Sequence, residues 1–209
     1  MVAFVRQFLP PDDLPSNHGR PEWAIIREVD ISVSGQRIDF KFSKGHRVAV
    51  VDDAAFENLL AELAIRTFPG GTAGYSPPKW PYGSSLSVNN QGLSYIIYVL
   101  ADKKWQFARY GAPITVSLVA SSKKAYFEGR RIDRSGQVDK GETTKDGCIA
   151  AYFIADAAMA AQGDNEYVDR INLHVDLRYE DPATPPTNPP VYMSIIVDPD
   201  VRHPGGSGA

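Results

Sequence analysis

Tyr167-Val-Asp-Arg-Ile-Asn-Leu-His-Val-Asp-Leu-Arg-Tyr179 and Val191-Tyr-Met-Ser-Ile-Ile-Val197 are joined by Glu180-Asp-Pro-Ala-Thr-Pro-Pro-Thr-Asn-Pro-Pro190. In the first segment Ile171, Leu173, Val175 and Leu177 alternate with Asn172, His174, Asp176 and Arg178. That is the period of a strand with one buried and one wet face. Two such strands in succession, with no helical period between them, put the C-terminal third in a β fold.

Upstream, Trp23 to Val33 reads as a strand, Ser34-Gly-Gln36 as a turn, and Arg37 to Phe42 as the returning strand of a hairpin, with Ile38, Phe40 and Phe42 on one face. Lys44-Gly45 offers a second turn before the apolar run Val48 to Val51. Phe56, Leu59, Leu60, Leu63 and Ala64 recur at spacings of three and four, the one strong helix signal. Asp52 or Asp53 caps its start, Glu57 favours the first turn, Arg66 the last, and Gly70-Gly71 ends it. Its apolar stripe needs a sheet to dock on. Leu93 to Leu100 is almost unbroken in apolar character, as in a central strand covered on both faces. Ile114 to Val119 and Ala125 to Ile132 read as further strands. Cys148 to Ala161 splits into a strand to Ile154 and a short helical turn.

These strands predict a mainly β chain: a two-layer antiparallel β-sandwich with one packed α-helix, residues 1–209 forming a single domain with a proline-rich connector at 180–190 and a flexible tail at 198–209. An α/β fold is the alternative. It is disfavoured because each parallel pair needs a crossover and only one helix is clear.

The 209 residues are 43% hydrophobic and 22% charged, and 22 Lys plus Arg against 25 Asp plus Glu leave a net charge of −3. That balance lacks the basic field of a nucleic-acid binder, so no nucleic-acid partner is expected. The single cysteine, Cys148, allows no intramolecular disulfide and no cysteine-only zinc site, and reads as a small buried hydrophobe. The run Met1 to Leu9, interrupted by Arg6 and followed by Pro10-Pro11, fits neither a signal peptide nor a membrane span, which makes a cytoplasmic location the expectation.

Arg47-Val-Ala-Val-Val-Asp-Asp-Ala-Ala-Phe-Glu-Asn-Leu-Leu60 resembles the opening of a response-regulator receiver domain, where a strand ends in an acidic pair that helps hold Mg²⁺. Pro113-Ile-Thr-Val-Ser-Leu-Val-Ala-Ser121 resembles that family's later strand ending in a small hydroxyl residue. The resemblance implies a metal-holding role for Asp52 and Asp53. It covers under a third of the chain and departs from the family where a phosphoacceptor should end the third strand: Leu100-Ala-Asp-Lys103 places its aspartate late. Helix capping explains the same pair.

Tyr75, Lys79, Trp80 and Tyr82 lie together in the proline-studded loop from Pro69 to Ser85, where rigid backbone presents flat faces suited to stacking on a small ligand or peptide. The same rings could instead fold back as a lid over a sheet end. His174 and Asp176 share a strand face and, with Asp198 and Asp200, compose a candidate mixed N/O metal site if the last strands pair; a solvated polar face accounts for them equally. No catalytic residue is assigned, since the chain holds no nucleophile elbow, phosphate loop or His-Glu-x-x-His motif. No cofactor is expected.

Lys123 to Arg134 is basic and Asp156 to Asp181 acidic, an asymmetry that can steer copies of one chain together. The expected function is therefore a non-enzymatic binding or self-assembling module, its partner a small ligand, a peptide or a second copy as a homo-oligomer. The alternative is a metal-dependent enzyme or receiver-like regulator using an acidic pair.

Overall fold

The computed structural model describes residues 5–6, 19–43, 45–67, 85–87, 93–102, 104–117, 126–132, 138, 148, 150–156, 167–179, 191–197 and 200–203. In chain order the elements are β1 (Val5–Arg6), β2 (Trp23–Ser34), β3 (Arg37–Phe42), β4 (His46–Ala49), α1 (Asp53–Thr67), β5 (Ser85–Ser87), β6 (Leu93–Leu100), β7 (Trp105–Phe107), β8 (Ile114–Ser117), β9 (Tyr126–Ile132), β10 (Ala150–Asp156), β11 (Tyr167–Tyr179), β12 (Val191–Val197) and β13 (Asp200–His203). They form two stacked sheets and one helix, the mainly β sandwich expected from the sequence.

The six-stranded sheet runs β3-β2-β6-β10-β9, with β4 also on β2; the seven-stranded sheet runs β1-β8-β11-β13-β5, with β12 and β7 also on β11. Pairing is antiparallel except for β2 with β6 and β13 with β5. The β2–β6 pair is parallel because the chain passes through β3, β4 and α1 between them, so α1 lies on this crossover.

One apolar core fills the space between the sheets, with Ile25, Val29, Ile96, Tyr98 and Phe153 from one side meeting Phe107, Ile114, Ile171, Leu173 and Val175 from the other. A second core lies behind the six-stranded sheet, where Phe56, Leu60 and Leu63 of α1 cover Ile26, Ile97, Val99, Phe127 and Ile154. This double coverage explains why β6 reads as an almost unbroken apolar run. Burying the three helix side chains contributes on the order of 5–9 kcal/mol gross, which an isolated 15-residue helix could not replace by propensity. Asp52 caps the helix, accepting a hydrogen bond from the Ala55 N–H at 2.7 Å. Among the described residues no helix is long and apolar enough to cross a membrane.

Three local readings differ. The sequence reads as a turn ahead of β4, but β3 and β4 both run antiparallel to β2, so they form one edge strand with a jog. At the jog Ser43 exchanges bonds with Glu28, and the fully buried Arg27 donates from Nε to the Ser43 carbonyl at 2.9 Å while lying over the Phe42 ring. The strand read as ending at Ile154 continues to Asp156, held by β6 across its whole length. Within the stretch expected to be a flexible tail, Asp200–His203 pairs with Tyr167–Arg170. The connector at 180–190 lies outside the described residues. The hairpin between β2 and β3 forms as read, with Gly35 at φ 61° supplying the left-handed turn.

Candidate functional site

Strand β11 is the axis of the seven-stranded sheet: β7 and β8 share one side of it, and β12 and β13 the other. Its inward residues Leu173 and Val175 belong to the core. Its outward residues Asn172, His174 and Asp176 form a row that the alternation alone places in water. The structure corrects that expectation, because Asn172 and Asp176 are buried, as are Thr115 and Gln106 beside them.

Buried polar groups need partners, and the row supplies them. Asp176, 4% exposed, accepts from the Ser194 hydroxyl at 2.6 Å and from the Arg109 backbone N–H at 3.1 Å, with the Arg109 Nε 4.0 Å from its second oxygen. Thr115 Oγ1 lies 2.8 Å from His174 Nε2 and accepts from Asn172 at 3.4 Å. Burial lowers the His174 pKa, so the imidazole is neutral near pH 7 and can accept the threonine proton.

The row continues onto β12. Tyr192, Ser194 and Ile196 stand opposite Arg178, Asp176 and His174, and directly opposed residues share a face. The Arg109 guanidinium lies over the Tyr192 ring, 3.5 Å from its centroid, and 5.4 Å from that of Tyr110. Arg131 of β9 fixes this loop: its Nε donates to the Ala108 carbonyl at 2.6 Å and a terminal nitrogen donates to the Gly111 carbonyl. Tyr110 is 70% exposed, Ile196 60% and Met193 43%. An arginine over one tyrosine ring and near a second, on the face that carries the exposed Ile196, has the composition of interface centres rather than of general surface.

The main chain of β12 completes the site. His174 N–H donates to Pro113 and its carbonyl accepts from Ala108, so its backbone faces β7 and β8. The neighbours Leu173 and Val175 therefore bond to Val197 and Ile195, and the backbone groups of Ser194 and Ile196 point off the sheet. Among the described residues no strand pairs with that outer edge of β12. The strand carries no charge and no proline, the two devices that usually blunt an edge.

On the helix side, Glu128 sits at φ 57° in a bulge opposite Phe153, and its carboxylate accepts from Tyr152 Oη at 2.9 Å. Burial, then the Glu128 charge, raise the neighbouring Tyr95 phenol to about 12 and push Tyr152 higher still. These groups hold protons firmly and bind α1 to the sheet through the Phe56–Tyr95 stack.

Tyr75, Lys79, Trp80 and Tyr82 lie outside the described residues, as does Asp198. Of the metal-ligand candidates, His174 and Asp176 share the outer face, while Asp200 is in register with Arg170. That is four residues from His174 along β11, roughly 13 Å. Among the described residues no three His, Cys, Asp or Glu side chains group as a metal set. Arg109, Tyr110, Thr115 and Ser194 were not legible as site residues. The aromatic pair Trp105 and Phe107 flanking Gln106, ahead of Arg109, is the one local signal for β7.

No protein-family model and no curated protein matches this chain.

Proposed function

We propose that the chain is a non-enzymatic binding module that takes up an extended apolar segment along β12. The observation that carries this reading is the outer edge of β12, which no described strand pairs: the N–H and C=O groups of Ser194 and Ile196 point off the sheet in an uncharged strand, beside the Arg109, Tyr110 and Tyr192 cluster. Strand addition takes affinity from main-chain hydrogen bonds and selectivity from alternate side chains. Here Ile196 and Tyr192 present the selective face, and the buried Asp176, hydrogen-bonded by Ser194 and by the Arg109 N–H with the Arg109 guanidinium 4.0 Å away, is screened from an apolar strand.

Titration of fluorescent heptapeptides tests this, one with the β12 sequence and one of alternating Thr and Val, both with solubilising ends. Saturable binding of at least one peptide is expected, weakened about tenfold or more by Ile196→Lys, because a charge must then enter the strand interface. No binding of either peptide to the wild-type chain would sink the reading.

A further inference from the structure

We draw no further inference here: the strongest candidate, the apolar patch that Val33 and Phe40 leave half exposed on one face of the β2–β3 hairpin, carries nothing because nothing in the structure shows what covers it.

Discussion

Arg131→Met should loosen the loop that presents Arg109 and Tyr110 without damaging either sheet. Arg131 is almost fully buried, and its guanidinium holds the carbonyls of Ala108 and Gly111. Each bond from a charged donor is worth about 1.5–3 kcal/mol. Methionine keeps the side-chain stem in place and removes the cost of burying a cation, which offsets part of that loss. Gly111 is also exposed, so its carbonyl can turn to water. The expected net loss is about 2–3 kcal/mol, and for a chain of this size it lowers Tm by roughly 4–12 °C. Denaturant unfolding followed by tryptophan fluorescence measures the first figure and calorimetry the second. Hydrogen exchange at Arg109 to Gly111 should accelerate, because Arg109 N–H bonds to Asp176 only while the loop is held. Arg131→Lys, able to reach one carbonyl, should fall between. A methionine variant within about 0.5 kcal/mol of wild type, the range of ordinary surface substitutions, would refute the idea that this arginine fastens the loop.

Asp52→Ala should cost about 1 kcal/mol, the usual value of an N-cap, and Mg²⁺ should change neither protein's Tm if capping is the whole role. A Mg²⁺-dependent rise in the wild type that the variant lacks would revive the acidic-pair reading. His174 gives a pH dependence of defined sign. Its folded pKa lies below the ordinary 6.5, so the unfolded chain takes the proton first; its contribution is present above pH 6.5 and lost as pH falls through the folded value. Urea titrations at pH 5 to 7 should therefore show wild-type stability rising more steeply than that of His174→Gln, and parallel curves would refute the assignment.

The alternations of β2, β3 and β11, the helical period of α1 and the unbroken apolar run of β6 were legible because each records how many faces of the element are buried. The jog between β3 and β4 was not. Lys44-Gly45 has turn composition, but the direction of β4 is set by its pairing with β2 and by Ser43 and Arg27, sixteen residues apart. The three residues of β7 were too few to show a period.

The site divides the same way. The sequence alone determined that β12 is an uncharged apolar strand between prolines, and that Asn172, His174 and Asp176 share one face. Only the tertiary structure decided that this face is buried and bonded rather than wet, since Thr115, Ser194 and Arg109 reach it from separate strands and a loop. Only it decided, too, that among the described strands β12 pairs with β11 alone. Periodicity records what a residue's own strand requires, whereas edge position depends on which other strands find partners, a property of the whole sheet.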